Sequence, residues 1–152
     1  MKIALGADHG GYELKRHLHG ILEKWGHQVL NMGVDGPEAA DYPDYARKVA
    51  QAVVGRQAER GVIICGSGVG ASVAANKMPG IRAGLCHDTF SARQGVEDDD
   101  VNVLCMGARV IGSELAVEIL KVWLNAEFSG LKRHVRRRDK VIAMEKEFSS
   151  RR

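Results

Sequence analysis

Five short apolar runs alternate with longer amphipathic or glycine-rich segments, and this alternation constrains the fold more than any other feature of the chain. The runs lie at residues 2–7, 28–32, 61–65, 81–86 and 101–106. Strands that alternate with helices form parallel sheets covered on both faces. We therefore predict an α/β fold, a three-layer αβα sandwich around a doubly wound, mostly parallel five-stranded sheet of the Rossmann or flavodoxin type. Right-handed crossovers favour a strand order such as 2-1-3-4-5.

Length and composition predict one globular domain over residues 1–152, since 152 residues of which 45% are hydrophobic suffice for one core. No apolar run approaches the roughly 20 residues that a membrane helix needs, which argues against a membrane protein. The three cysteines have no metal-like spacing. They predict free thiols in a reducing compartment, the cytoplasm.

Charge is distributed unevenly along the chain. Residues 131–152 carry nine Lys or Arg and three Asp or Glu, a net charge of +6, so the first 130 residues carry −3 of the total of +3. We predict a basic, helical C-terminal arm on which Arg133, Arg136 and Arg137 share a face. Such an arm suits an anionic partner: a phosphorylated ligand, another subunit or a nucleic acid. The aromatic content of only 5% argues against nucleic acid.

The strongest local motif is the sequence CGSGVG at residues 65–70, which follows a β-branched strand and precedes a predicted helix. Glycines let backbone N–H groups converge on a phosphate or a developing oxyanion. A tight strand-to-helix turn would need glycine whatever it bound. The motif also mimics a dinucleotide fingerprint, but it follows the third strand and leaves no room for a substrate domain. It lacks the Lys of a P-loop.

Cys65 stands at the start of this glycine loop and is a candidate base or nucleophile, because the positive end of a helix favours the thiolate form. Ser67 is placed to hydrogen-bond to it or to a substrate. Cysteine is also a common buried strand residue, and we interpret Cys86 and Cys105 in that way.

Other polar groups are predicted at the carboxyl ends of strands, where open α/β sheets bind ligands. Asp8 and His9 end the first strand and suit sugar hydroxyls or a phosphate, although a helix cap would look the same. The acidic run from Glu97 to Asp100 has the oxygens for a hard cation but no EF-hand spacing. An acidic loop or helix end is the simpler interpretation.

Five segments carry a resemblance to a known family: KIALGADHGGYELK at the start, DYPDYA at 41–46, GVIICGSGVGASVAANKMPGIRA at 61–83, NVLCMGARVIG at 102–112 and KRHVRRRDKV at 132–141. In this order, over nearly the whole chain, they resemble type B ribose-5-phosphate isomerase, whose family includes the galactose-6-phosphate isomerase subunits. The resemblance implies an aldose–ketose isomerase of sugar phosphates that works through an enediolate. Ribose 5-phosphate to ribulose 5-phosphate is the favoured reaction.

The resemblance also implies residue roles. Cys65 would be the base, Ser67 would assist proton transfer, and Asp8 and His9 would hold hydroxyls. The enediolate would be held by the loop residues Gly66, Gly68, Val69 and Gly70. The phosphate would be held by Arg109, Arg133 and Arg137. No metal or organic cofactor is implied. The site would lie at the subunit interface of a homodimer or dimer of dimers, with the basic arm, about residues 131–152, packed on the partner subunit.

The chain departs from the family at one place. Members that act on ribose 5-phosphate usually carry a His-Asn pair shortly before the fifth strand, and the histidine is assigned to opening the sugar ring. Here the pair is Asp98-Asp99. Three alternatives remain: Asp98 is the catalytic acid and Asp99 binds substrate, His87 replaces the histidine, or the substrate, such as a four-carbon sugar phosphate, needs no ring opening. A hexose 6-phosphate substrate and a non-catalytic phosphosugar-binding module also remain open.

Overall fold

The middle layer is a sheet of five parallel strands, seen in a computed structural model that describes residues 1–150. The strands are β1 (Lys2–Ala7), β2 (Gln28–Asn31), β3 (Arg60–Cys65), β4 (Ala83–Leu85) and β5 (Val103–Gly107). Neighbouring strands follow the order β2-β1-β3-β5-β4, and every pair is parallel. The predicted α/β sheet is therefore confirmed.

Helices cover both faces of this sheet. They are α1 (Tyr12–Lys24), α2 (Tyr42–Val54), α3 (Val69–Ala75), α4 (Thr89–Asp99), α5 (Ser113–Asn125) and α6 (Lys132–Ser149). Helices α1, α4 and α5 pack on one face, whereas α2 and α3 pack on the other. The C-terminal helix α6 contacts α4 and carries the basic arm. The three-layer arrangement and the helical arm match the prediction.

Two hydrophobic cores result from the period-two alternation of the strands. Ile64 and Met106 point toward α1 and α5, where Trp123 is fully buried. Ile63 and Cys105 point to the opposite face and pack with α2 and α3. Because successive strand residues face opposite layers, apolar runs with no polar alternation are the pattern that a doubly covered sheet requires.

The strand order differs from the expected 2-1-3-4-5 because β5, not β4, lies beside β3. All five residues of β5 are buried, while the three residues of β4 are half-buried or exposed. A strand buried on both faces gains most in the interior of the sheet, and a short, partly exposed strand is tolerated at the edge. Burial therefore decides the order of the last two strands.

Neither α5 nor α6 begins with a side-chain cap, because the N-cap residues are Gly112 and Leu131. The acidic run 97–100 is confirmed as a helix end, because α4 continues to Asp99 from an N-cap at Asp88.

Within residues 1–150, no helix is long and apolar enough to cross a membrane. Over the same range, no group of three or more His, Cys, Asp or Glu side chains is arranged to hold a metal ion.

Candidate active site

A pocket of about 320 Å³ opens at the carboxyl ends of β1 and β3. These two strands are neighbours, and β1 leads to β2 on one side while β3 leads to β4 on the other. Such a switch of direction leaves a crevice between strand ends. The lining residues are Asp8, Tyr42, Cys65, Gly66, Ser67, Gly70, Arg109 and Val110. Four distant segments of sequence therefore meet at one site.

The loop after β3 folds back over the sulfur of Cys65. Gly68 adopts a φ of +78°, the left-handed conformation that glycine permits. Its N–H donates to Cys65 Sγ at 3.0 Å, and the N–H of Val69 donates to Ser67 Oγ at 3.2 Å. The thiol is 4% exposed, whereas Ser67 is exposed. The loop thus holds the sulfur at the floor of the pocket with the hydroxyl above it.

The loop after β3 packs on the end of β5. The N–H of Ala108 donates to Cys65 O at 2.9 Å, and that of Arg109 donates to Gly66 O at 3.0 Å. A methyl group on Gly107 would lie 2.5 Å from the Ser67 backbone, so only a glycine permits this approach. The position of the loop therefore depends on the backbone at Gly107.

Asp8 and His9 lie at the same edge but do different things. Asp8 is 8% exposed, lines the pocket, and accepts a hydrogen bond from the N–H of Gly11 through Oδ1 at 3.1 Å. His9 is exposed, and its Nδ1 lies 3.1 Å from the backbone nitrogen and 3.2 Å from the backbone oxygen of Ala40. His9 is not among the residues that line the pocket.

Arg109 and Tyr42 stand close to the glycine loop. A methyl group on Gly66 would lie 3.2 Å from a guanidinium nitrogen of Arg109, and one on Gly70 would lie within 3.0 Å of the Tyr42 ring. The pocket therefore offers one cation and one phenol beside the thiol. Sequence reasoning had not assigned a role to Tyr42 or Val110. The only signal for Tyr42 was its place in the segment DYPDYA, at the start of α2.

Cys86 and Cys105 have the structural character that the sequence predicted. Both are buried, and all three cysteines are unpaired. Burial, with a smaller contribution from Asp88, raises the pKa of Cys86 to about 11. Burial also raises the pKa of Cys105. Neither thiol is suited to act as a base near neutral pH.

The predicted residues Asp98, Asp99, Arg133 and Arg137 lie elsewhere in the chain. They stand at the end of α4 and on α6, and they do not line the Cys65 pocket within residues 1–150. Both arginines are exposed. The structure therefore brings Asp8, Cys65, Gly66, Ser67, Gly70 and Arg109 together in one chain. It leaves these other four apart from them.

Asp98 is held by neighbours of its own chain. Its Oδ2 accepts from Gln94 Nε2 at 2.8 Å, one helical turn earlier. Its Oδ1 lies 3.5 Å from Nδ1 of the buried His134 on α6, which is also 2.6 Å from Ser129 Oγ. These contacts connect α4 to the start of the basic arm.

Asp100 makes a second connection between α4 and α6. It has a φ of +54°, and its Oδ2 accepts from Arg82 at 3.1 Å and from Arg138 at 3.2 Å. The Arg138 guanidinium also lies over the ring of Phe128, 4.7 Å from its centroid. The Asp100 carboxylate thus connects Arg82, just before β4, to Arg138 on the basic arm.

We expect Asp100→Asn to lower the free energy of unfolding by about 1–2 kcal/mol, because two hydrogen bonds from arginines lose their charged acceptor. Asparagine tolerates the left-handed backbone, so strain is not added. Urea denaturation measures the change. The matched control is Asp99→Asn at the exposed neighbouring carboxylate, expected within about 0.5 kcal/mol of the parent. Equal losses in the two variants would show that the Arg82–Asp100–Arg138 contact does not stabilise the fold.

The comparisons with known proteins agree with this architecture. The family model described as Ribose/Galactose Isomerase matches residues 3–141. Ribose-5-phosphate isomerase B of Escherichia coli is 44% identical over 144 residues, 95% of this chain and 96% of that protein. A D-erythrulose-4-phosphate isomerase of Pectobacterium atrosepticum is 42% identical over 131 residues, 86% of each chain.

A solved structure shows the same fold. Ribose-5-phosphate isomerase B from Clostridium thermocellum superposes with a TM-score of 0.96 at 48% sequence identity. The match covers 97% of this chain and 99% of that one. The likeness therefore includes the C-terminal helix as well as the sheet and the pocket.

Proposed function

We propose that this chain, which belongs to the ribose/galactose isomerase family, interconverts ribose 5-phosphate and ribulose 5-phosphate without a cofactor. The observation that carries the proposal is the position of Cys65, under a glycine loop and in one pocket with Asp8 and Arg109. An aldose–ketose isomerase needs a base at one carbon, donors for an enediolate oxygen and a cation for the phosphate. These three requirements match the three parts of the pocket.

In the proposed mechanism, Cys65 Sγ removes the proton from C2 of the open-chain aldose. The electron pair forms the C1–C2 double bond, and the C1 carbonyl oxygen becomes the enediolate oxygen. The sulfur then returns the proton to C1, while the C2 hydroxyl proton leaves and the C2 carbonyl forms. Ser67 Oγ, exposed beside the sulfur, assists the transfer of the hydroxyl proton between O2 and O1. Atoms and charge balance without another reactant.

The loop amides have different tasks in this proposal. Those of Gly68 and Val69 already donate to Cys65 Sγ and Ser67 Oγ. We therefore assign the enediolate oxygen to the amides of Ser67 and Gly70, two residues that line the pocket. This narrows the broader expectation that every amide of the loop contacts the oxyanion.

The remaining groups orient the substrate. Asp8 lines the pocket beside the thiol and holds a sugar hydroxyl. The imidazole of His9 hydrogen-bonds a second hydroxyl. Arg109 binds the phosphate, because a guanidinium offers paired donors to phosphate oxygens.

We further propose that a second copy of the chain completes the site, as a homodimer or a dimer of dimers. Val141, Met144 and Phe148 form an exposed apolar stripe along α6, at a spacing that places them on one face. This stripe lines a groove of about 800 Å³. Exposed apolar surface of this kind marks association sites. The arm of each copy would pack on the other.

In this arrangement, Arg133 and Arg137 of one copy reach the phosphate at the pocket of the other. Asp98 and Asp99 approach the same pocket from the end of α4. Within one chain, these four residues lie apart from the Cys65 pocket. This separation supports the idea, since they and Cys65 could then contact the same ligand only across two copies.

A specific observation favours a second candidate substrate, a four-carbon sugar phosphate. Asp98 and Asp99 replace the His-Asn pair of ribose-acting relatives, and Asp98 is already engaged by Gln94 and His134. A tetrose phosphorylated at O4 cannot close a furanose ring, so it needs no ring-opening acid. The relative from Pectobacterium atrosepticum is named for a substrate of this size.

Proton exchange tests the proposed function directly. We expect the protein in heavy water to exchange the C2 proton of ribose 5-phosphate while forming ribulose 5-phosphate, as followed by NMR. A kcat/KM that is higher for erythrose 4-phosphate than for ribose 5-phosphate would favour the four-carbon substrate. A kcat/KM that is higher for a hexose 6-phosphate than for ribose 5-phosphate would favour the hexose. A folded protein that binds these phosphates without any exchange would be a binding module, and the proposal would be wrong.

We also propose that the enzyme works in the cytoplasm. Its three cysteines are unpaired and buried, as expected of a protein from a reducing compartment.

A further inference from the structure

His87 occupies an unusual place at the end of β4. The strand itself ends at Leu85, and its last ladder bond runs from the N–H of Cys86 to Cys105 O at 3.1 Å. Strand β5 continues to Gly107, whose N–H therefore has no further carbonyl of β4 to donate to. His87 Nε2 accepts this hydrogen bond instead, at 2.9 Å. The imidazole of His87 thus supplies the acceptor that a backbone carbonyl of a longer β4 would have supplied.

Gly107, which donates to His87, is also the residue on which the Cys65 loop packs. Ser67 packs on the Cα of Gly107, as described above, and the backbone of Gly68 approaches the same place. A methyl group on Gly68 would lie 3.0 Å from Gly107 N and 2.8 Å from the carbonyl carbon of Met106. Because these backbones are in direct contact, a shift of Gly107 moves the Ser67–Gly68 loop.

We infer that His87 is a positioning residue of the isomerase, acting through Gly107 on the loop that holds Cys65 and the proposed enediolate donors. The inference rests on the proposed function. It requires the neutral imidazole with its proton on Nδ1, because only an unprotonated Nε2 accepts a hydrogen bond. A doubly protonated ring would present an N–H to the N–H of Gly107, and the loop would lose its support.

This contact also decides against His87 as the ring-opening group. Its Nε2 is used by Gly107, and His87 is not among the residues that line the Cys65 pocket within residues 1–150. The residue acts beneath the loop and not on the substrate.

The titratable neighbours of His87 do not take over its role. Asp88, the next residue, is turned to the N–H of Ser91 at 2.6 Å, a bond that lowers the pKa of its carboxyl. Cys86 and Cys105 on the two strands remain protonated thiols, since burial raises the pKa of each. Across the loop, Cys65 Sγ is occupied by the N–H of Gly68. None of these groups replaces His87 Nε2 as the acceptor for the N–H of Gly107.

Two substitutions separate this role from simple packing. His87→Gln keeps an acceptor at the position of Nε2 but does not titrate, whereas His87→Ala removes the acceptor. We expect the alanine variant to lose about 10- to 100-fold in kcat with little change in KM, a range typical of misplaced catalytic groups. The glutamine variant should keep most of kcat.

Equal losses in the two variants would overturn the inference, as would parental activity in the alanine variant. Amide hydrogen exchange of Gly107 gives a readout that needs no substrate. We expect fast exchange in His87→Ala and slow exchange in His87→Gln; similar rates in both would also overturn it. Absence of turnover in the parent enzyme would instead count against the proposed function.

Discussion

Replacement of Cys65 by alanine is expected to lower kcat/KM by about 10³-fold, because general-base catalysis contributes roughly 10²–10⁴-fold. The thiol lies at the floor of the pocket, and no other base among the lining residues stands in the glycine loop. Asp8, the lining carboxylate, uses one oxygen to hold the turn at Gly11. Steady-state kinetics on ribose 5-phosphate, with C2 proton exchange as a second readout, measures the loss.

Two further substitutions distinguish a base from a structural thiol. Cys65→Ser keeps an acceptor for the N–H of Gly68 but replaces the thiol by a hydroxyl, which is far less acidic. We expect it to be nearly as inactive as the alanine variant. Cys86→Ala removes another buried cysteine, in the core on the opposite face of the sheet, and should cost less than about tenfold, through packing alone. A serine variant with parental activity would show that the residue at position 65 only holds the loop.

The elements that sequence reasoning predicted well are those governed by local pattern. Runs such as VIIC before the glycines of the Cys65 loop are apolar at every position, and such runs must be buried on both faces of a sheet. Parallel strands then bring their carboxyl ends to one edge. This predicted a ligand site at the ends of β1 and β3, and Asp8, Cys65 and Arg109 line one pocket there.

The features that sequence reasoning missed depend on contacts between distant segments. The exchange of β4 and β5 follows from the burial of β5, which a hydropathy pattern measures only roughly. Tyr42 enters the pocket because α2 begins beside the glycine loop. Sequence reasoning offered His87 only as a ring-opening group and did not predict its contact with Gly107, since that partner is a backbone N–H left without a carbonyl because β4 is short. No local motif reports such a contact.

The largest expected effect of association is that two inactive variants, combined in one dimer, restore each other's isomerase activity. One variant is Cys65→Ala, and the other combines Arg133→Ala with Arg137→Ala. If each site takes Cys65 from one copy and the two arginines from the other, a heterodimer contains one doubly defective site and one intact site. Each parental homodimer has no intact site. Co-expression with two different affinity tags, followed by purification on both, isolates the heterodimer.

We expect this heterodimer to show about half of the wild-type kcat per dimer, since one of its two symmetry-related sites is complete. Both homodimers should remain at least 100-fold below the wild type, because they lack either the base or two phosphate ligands. A matched heterodimer of Cys65→Ala with wild type should have the same half activity, which controls for tag effects. If the mixed dimer is as inactive as its parents, the arginines serve the pocket of their own chain. The separation of the α6 arginines from Cys65 within one chain argues for restoration, because an intact site can then form only between two copies.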